Sequence, residues 1–293
     1  MATLRELKGR IGSVASSEKI TGAMKMISSA KMHKAEGSLR RLQPYRKQVE
    51  TVITSLLGSD STFESPLIEK RENKNCALII WGSDDGLCGA YNANLAKKLP
   101  QAIENIRKTD GSDVKITIYA VGSKMLKAAR RYGSGGITVM DLPGVNSKTE
   151  GEGIKAFVKN ISNLFTGGTY DRIDVLYMKF FSASRQRAVN STFLPIEYSS
   201  LGNGEKTSTS KPYIFEPDAK SIFAKVIPMY LMAVAEDIFT ENRASEQAAR
   251  VMAMQSANDN AKKLLDQLRL EYNKLRQQAI TSELLDIVGG QIK

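Results

Sequence analysis

The first fifth of the chain carries apolar residues at alternating steps of three and four. Near the start these residues are Leu4, Leu7, Ile11 and Val14, followed out of phase by Ile20, Met24 and Ile27, and later by Leu42, Tyr45, Val49, Val52 and Leu56. Such a narrow stripe is typical of a coiled-coil seam rather than the wider face of a globular helix. The pattern predicts a helix from Thr3 to about Leu57. Pro44 should bend this helix or leave a carbonyl group unpaired.

The last third of the chain repeats the same kind of stripe. Its apolar residues are Ala261, Leu265, Leu268, Tyr272, Leu275 and Ala279. The sequence predicts a helix that is capped by Asp218, continues to about Val288 and ends at Gly289 and Gly290. Because neither helix could keep its stripe from water alone, we expect the two to pair as a long antiparallel coiled coil.

The middle of the chain has a different periodicity. Short apolar runs predict four strands, at 76–81, 114–121, 173–181 and 188–197. Helical stretches at 92–108, 123–132 and 151–166 separate the first three strands. This alternation is typical of an α/β sheet domain. We therefore predict an α/β protein with three parts: an N-terminal helix (1–57), a central Rossmann-like domain (76–198) and a C-terminal helix (211–288). Polar segments at 58–75 and 199–210 should be the connections.

Composition and charge narrow the classes of function. The 293 residues carry a net charge of +11, and the first fifty contain eleven basic and four acidic residues. This excess indicates an acidic partner: nucleic acid, anionic lipid or an acidic protein surface. No apolar run is long enough for a membrane span, and the start lacks a signal core, so we expect a cytoplasmic protein. Two cysteines and one histidine favour free thiols over a metal site.

The glycine-rich segment 82–89 follows a predicted strand and precedes a predicted helix, where a phosphate-binding loop would lie. Its glycines fit neither the dinucleotide-binding nor the P-loop spacing, which favours a tight turn. Asp84 and Asp85 should be solvated turn residues with side chains pointing apart. His33 has no nucleophile in a recognisable setting beside it. We therefore predict no catalytic residue, no cofactor and no metal.

Three motifs carry a family resemblance. They are residues 19–26 with 30–32 (KITGAMKM and AKM), residues 86–92 (GLCGAYN), and residues 244–254 with 272–289, which include ASEQAARVMAM and ITSELLDIVG. Together they resemble, in order along the whole chain, the gamma subunit of F-type ATP synthases. The two light-regulated cysteines of chloroplast relatives have no counterpart here.

The resemblance implies a rotor that is not catalytic itself. In this family the coiled coil stands inside a hexameric ring of alpha and beta subunits, and its foot rests with the epsilon subunit on the membrane ring of c subunits. Proton flow turns this stalk and drives ATP synthesis on the beta subunits. The implied location is the cytoplasmic face of the bacterial inner membrane, with membrane association only through the complex and no nucleic-acid partner.

The resemblance also implies positions that contact or couple to the alpha–beta ring. On the N-terminal helix they are Met24 and Lys25, and on the C-terminal helix they are Arg250, Arg276, Gln277, Thr281, Glu283 and Asp286. Most of the charged residues in this set could instead belong to solvated helix faces.

The sequence is also compatible with two other functions. A basic coiled coil that binds nucleic acid would show binding that weakens steeply with salt, but it leaves the α/β domain without a role. A nucleotide-binding α/β enzyme with helical extensions would bind or turn over nucleotide as an isolated chain.

Overall fold

The computed structural model describes residues 3–57, 63–197 and 215–290. The elements are α1 (Leu4–Leu57), β1 (Asn75–Ile80), α2 (Tyr91–Asp110), β2 (Lys115–Ala120), α3 (Ser123–Ala129), β3 (Ile137–Asp141), α4 (Glu152–Thr166), β4 (Arg172–Ser182), β5 (Arg185–Leu194) and α5 (Ala219–Gly290). The α/β class with a long helix at each end is confirmed. The predicted loop at 199–210 and the start of the predicted connection at 58–75 lie outside the described residues.

The chain forms two compact units, and both long helices contribute to each of them. The helical unit combines residues up to Ser29 with residues from Arg250 onward, and the sheet unit is Ala30–Ala249. The ranges 1–57, 76–198 and 211–288 remain a prediction about domains. α1 is continuous through Pro44, and α5 extends through both terminal glycines to Gly290.

The sheet unit is built on five strands in the order β3-β2-β1-β4-β5. β1, β2, β3 and β4 are parallel, and β5 returns antiparallel to β4 as a hairpin. β1 lies in the centre, and its residues from Cys76 to Ile80 are fully buried. A central parallel strand is covered on both faces, which explains why its sequence is a continuous apolar run.

The sequence did not reveal β3. Among the described residues this strand pairs with β2 alone, and all five of its residues are exposed or half-buried. A short edge strand needs only a few apolar residues on one face, so its sequence lacks the uninterrupted run that marked the other strands.

Two hydrophobic layers cover the two faces of the sheet. Alternate residues of β1 divide between them: Leu78 packs with α2 and α3 on one face, and Ile79 packs with α4 on the other. The second layer also takes in residues from both long helices, including Ile53 of α1 and Phe239 of α5. The C-terminal part of α1 and the N-terminal part of α5 are therefore components of the sheet unit's core.

Within the sheet unit the two long helices are antiparallel. Ala35 and Leu39 cluster with Ala244, whereas Arg46, farther along α1, forms an ion pair with Asp237 at 2.8 Å between Nη1 and Oδ2. Increasing residue numbers on α1 thus meet decreasing numbers on α5. The predicted antiparallel pairing is confirmed for this unit. Tyr45, which we placed in the seam, is instead exposed.

Candidate partner-contact surfaces

All eight residues that the family resemblance selects lie in the helical unit. Met24 and Lys25 belong to its α1 part, and the remaining six belong to its α5 part. The fold therefore brings together in one unit two segments that are more than two hundred residues apart in the sequence. Which of these residues contact a partner remains a prediction.

A polar contact joins the two helices of this unit. Asn258 on α5 is buried, and its Nδ2 group donates to the Glu18 carbonyl oxygen at 2.7 Å and to Thr21 Oγ1 at 3.3 Å. Gly22 makes room for it, because a Cβ atom there would lie 3.3 Å from Asn258 Nδ2. A buried polar residue that hydrogen-bonds across a helix pair is a device that fixes helix register.

The seam itself follows the predicted stripe closely on α5 and less closely on α1. On α5, Leu265 and Leu268 are buried and the other four predicted seam residues are half-buried. On α1, our assignment of Ile20 and Ile27 was wrong, since their side chains are 59% and 56% exposed. The inward positions there are Thr21 and Ser28, because the phase slip turns the small and polar residues toward the interior.

Large apolar side chains cover the outside of the helical unit. Those that are exposed are Ile20, Met26, Ile27, Met252, Leu264, Leu270, Ile280, Leu284, Leu285, Ile287 and Val288. Single exposed apolar residues are ordinary, but a concentration of this kind indicates a surface that another protein covers. On α1 this exposed surface could not be recognised from the sequence, because the apolar character of Ile20 and Ile27 also fits a seam.

The end of α5 is exposed on every side. All residues from Ile280 to Val288 are exposed, including the predicted contact residues Thr281, Glu283 and Asp286. The Thr281 hydroxyl donates to the Gln277 carbonyl oxygen at 2.9 Å, so this hydroxyl is engaged within the helix. The end of α5 thus presents apolar and acidic groups together.

The other predicted contact residues differ in exposure. Arg276 and Gln277 are exposed, and Met24 and Lys25 are half-buried. Arg250 is only 7% exposed. A role for Arg250 must therefore depend mainly on how it holds its surroundings, because little of its surface can reach a partner directly.

Polar groups of the glycine-rich turn after β1 form hydrogen bonds with the start of the following helix. The Ser83 amide donates to Asn92 Oδ1 at 3.0 Å, and Asn92 Nδ2 donates to Ser83 Oγ at 2.7 Å. A Cβ atom on Gly82 would lie 2.3 Å from Met125 Cβ, so the end of β1 packs directly against α3. These contacts support the interpretation of residues 82–89 as a tight structural turn.

The two acidic residues of this turn have different partners, and Asp84 is not a freely solvated side chain. It accepts hydrogen bonds from the amides of Ser123 and Ser147 at 3.0 Å each, which tie the turn to the start of α3 and to the loop before α4. Burial favours a higher pKa for Asp84, but these amide donors outweigh it and lower the pKa. Asp85 instead forms an exposed ion pair with Lys148 at 3.0 Å.

Neither a metal centre nor a membrane span is found within the ranges 3–57, 63–197 and 215–290. No group of three or more His, Cys, Asp or Glu side chains there could hold a metal ion. No helix among the same residues is long and apolar enough to cross a bilayer. Cys76 and Cys88 are both buried and free.

Comparison with known proteins finds full-length relatives. The family model described as ATP synthase matches residues 3–291. The chain is 40% identical over 296 residues to the ATP synthase gamma chain of Bacteroides fragilis, and 38% identical over 306 residues to that of Bacteroides thetaiotaomicron. Each alignment covers 100% of this chain and 100% of the relative.

Solved structures share the fold. A chain from the OSCP/F1/c-ring assembly of the Euglena gracilis mitochondrial ATP synthase superposes with a TM-score of 0.64 at 20% identity, covering 98% of this chain and 93% of that one. A chain from the rotor of the same synthase gives a TM-score of 0.60 at 19% identity, covering 94% and 98%.

Proposed function

This chain belongs to the ATP synthase gamma-chain family, and from that premise we propose that it is the central-stalk rotor subunit of an F-type ATP synthase. The observation that carries the proposal is the helical unit, whose paired helices leave their outer apolar residues uncovered. A part that turns inside a ring must offer surface to its partners. The Euglena relative, which has the same fold, is a chain of an assembly containing F1 and a c ring.

A rotor of this kind acts by differential binding. The pair of helices has different side chains on each side, so each beta subunit around it would meet a different surface. Each surface favours the beta conformation that it binds best, and rotation moves these preferences around the ring. Because this coupling is reciprocal, nucleotide binding and hydrolysis on the ring must in turn favour particular orientations of the stalk and so drive its rotation.

The proposal assigns partners and location as well. The partners are the alpha–beta ring, the epsilon subunit and the c ring, and the chain reaches the membrane only through them. The chain itself is not catalytic and needs no cofactor, since the chemistry is carried out on the beta subunits. Its place is the cytoplasmic face of the bacterial inner membrane. Much of the basic excess in α1 would face acidic groups of the ring.

Reconstitution with purified alpha and beta subunits tests the proposal. We expect a stable complex whose ATPase activity depends on this chain. The absence of a complex, together with ATPase activity indifferent to the chain, would refute the rotor function. ATP turnover by the chain alone would favour a nucleotide-binding enzyme. DNA or RNA binding that weakens steeply with salt would favour the nucleic-acid alternative.

We further propose that the eight residues named above contact or couple to the ring, and Arg250 offers the sharpest test. Arg250→Ala should reduce ATPase turnover or ATP synthesis more than it reduces assembly, because a buried residue at this position holds the shape of the contact surface. Gln277→Ala, at an exposed position on the same helix, should instead weaken a direct contact. Unchanged turnover in the Arg250→Ala complex would remove Arg250 from the coupling residues.

A further inference from the structure

The β4–β5 hairpin of the sheet unit turns a phenylalanine outward. In the strand ladder Phe180 pairs with Gln186 and Ser182 pairs with Arg185, so Phe181 is an extra residue at a β-bulge. Its side chain is 51% exposed. Bulges bend a strand and redirect a side chain, and they recur next to functional sites. The exposure of Phe181 is therefore built into the hairpin.

Basic groups surround this ring. The Arg185 guanidinium carbon lies 5.3 Å from the ring centroid of Phe181, and Lys179 Nζ lies 6.0 Å from it. Arg187 is paired directly opposite Lys179 across the two strands. Like charges in such cross-strand positions are unfavourable unless something compensates them.

Acidic residues balance the positive charge of Lys179 but not that of the two arginines. Lys179 interacts electrostatically with Asp237 and Glu241, which lie toward the interior. Arg185 and Arg187 are exposed, and within the described residues neither forms an ion pair. The two arginines thus offer uncompensated positive charge beside an exposed aromatic ring.

The turn that carries these groups is held in one conformation. The Arg185 amide donates to Ser182 Oγ at 3.1 Å, and Gln186 Nε2 donates to the carbonyl oxygens of Ser182 and Ala183 at 3.0 and 2.7 Å. A surface that is already ordered loses little conformational entropy when it binds a partner.

We propose that Phe181, Arg185 and Arg187, here the arginine–phenylalanine tip, dock an acidic segment of another subunit of the ATP synthase complex. The inference rests on the proposed function. Carboxylates of the segment would accept paired hydrogen bonds from the guanidinium groups, and an apolar side chain between them would cover Phe181. The complementary charge argues for an acidic protein surface.

The size of the tip argues against a lipid surface or nucleic acid. Lipid recognition by basic groups typically uses clusters of about four to eight Lys and Arg residues. Nucleic-acid binding proteins commonly neutralise about six to ten phosphates. Two arginines with one aromatic ring are too few for either role, but they match a short peptide segment with two or three carboxylates.

Photo-crosslinking in the assembled complex is the first test. Phe181 is replaced with p-benzoylphenylalanine in the full chain, which is reconstituted with alpha, beta and epsilon subunits and irradiated. The matched control carries the same group at Met140, a residue 45% exposed on the opposite edge of the sheet. We expect position 181 to crosslink, in yield well above the control, to a segment rich in Asp and Glu. A crosslink to a segment without acidic residues, or none in an active complex, would overturn the inference.

Charge reversal is the second test. The Arg185→Glu/Arg187→Glu variant should bind the other subunits at least tenfold more weakly than the Arg130→Glu/Arg131→Glu variant, which makes the same change of charge at exposed positions elsewhere in the sheet unit. Equal affinities in an assembled complex would contradict the docking role. If even the unmodified chain fails to assemble, the proposed function itself fails, and that result is distinct from failure of the tip alone.

Binding to vesicles that contain phosphatidylserine tests whether the tip recognises lipid instead of protein. The full chain should bind them no better than the Phe181→Ser variant. Binding by the unmodified chain that is lost with Phe181→Ser and with Arg185→Glu would mean that the tip recognises lipid, and would overturn the inference.

Discussion

At the scale of single residues, the most consequential side chains are polar groups placed where burial is costly. Asn258 enters the seam of the helical unit, and Glu241 lies half-buried in the sheet unit. Neither position could be recognised as unusual from residue type alone, since asparagine and glutamate are common on exposed helix faces. Their environments give them specific effects on stability.

Asn258→Ala should loosen the register of the helical unit. The variant loses two hydrogen bonds from a buried donor. This loss should lower the stability of the helix pair by about 1 kcal/mol. Hydrogen exchange at amides near Thr21 should become about fivefold faster, a change that mass spectrometry of the matching peptides detects. Asn273→Ala, at an exposed position on the same helix, is the control. Equal exchange in the two variants would argue against a register role for Asn258.

Glu241→Gln should stabilise the sheet unit at high pH. Burial raises the pKa of Glu241 from its usual 4.5 to about 7, an effect that attraction to Lys179 only partly opposes. Because the pKa is higher in the folded chain than in the unfolded chain, stability falls as the pH rises from about 4.5 through 7. The variant should escape this loss, gaining about 1–2 kcal/mol at pH 8, where solvent screening limits the effect, and roughly a quarter of that at pH 5.

Trp81 provides the measurement for this prediction. It is the chain's single tryptophan and is buried in the sheet unit, so its fluorescence during denaturant unfolding follows that unit. Glu271→Gln, at an exposed position in the helical unit, is the matched control. A Glu241→Gln gain that is the same at pH 5 and pH 8 would show that the charge of Glu241 is not the cause.

At the scale of elements, α5 has two parts with different surroundings. Its N-terminal part contributes Phe223, Ile227 and Phe239 to the core of the sheet unit. Its C-terminal end carries apolar residues that stay exposed in the part of the chain that the structure describes. One continuous helix therefore combines a structural part with a part whose apolar side chains are available to a partner.

Leu284→Ser/Leu285→Ser should weaken binding to the alpha–beta ring without affecting the chain alone. Burying one leucine contributes about 1.5–3 kcal/mol, so losing two should reduce affinity at least tenfold. Titration of labelled ring with the variant measures this affinity. Thermal unfolding of the free variant should match that of the unmodified chain, because both side chains are exposed in it. Unaltered affinity would mean that the end of α5 remains uncovered in the complex.

At the scale of the whole molecule, the two units differ in how much of their own surface they bury. The sheet unit has two hydrophobic layers around a central strand. The helical unit has a narrow seam and many exposed apolar side chains. The first is equipped to be stable alone, and the second gains most from a partner.

Hydrogen exchange should display this difference. In the free chain, amides of β1 should exchange most slowly, because their strand is buried on both faces. When the alpha–beta ring is added, protection should increase mainly in residues 4–29 and 250–288, while β1 changes little. Protection confined to the sheet unit would contradict the assignment of the helical unit as the main ring-contact surface.

Sequence alone determined the class of the fold, most of its elements and the family. Periodicity was sufficient for this, because a buried central strand needs a continuous apolar run and a seam needs steps of three and four. The three motifs were sufficient for the family, since each is a local string of residues. The end helices and the strands β1, β2, β4 and β5 were therefore predictable from particular stretches of the chain.

Only the tertiary structure decided which side of each helix faces inward and which surface remains exposed. Ile20 and Ile27 have the right residue type for a seam, but Thr21 and Ser28 face inward on α1 instead, so the isoleucines lie outside. The weak edge strand β3 and the outward turn of Phe181 at its bulge likewise depend on pairing with neighbouring strands. Helix periodicity fixes positions relative to one another along a helix, whereas the partner helix fixes the rotation about its axis, and that partner is distant in the sequence.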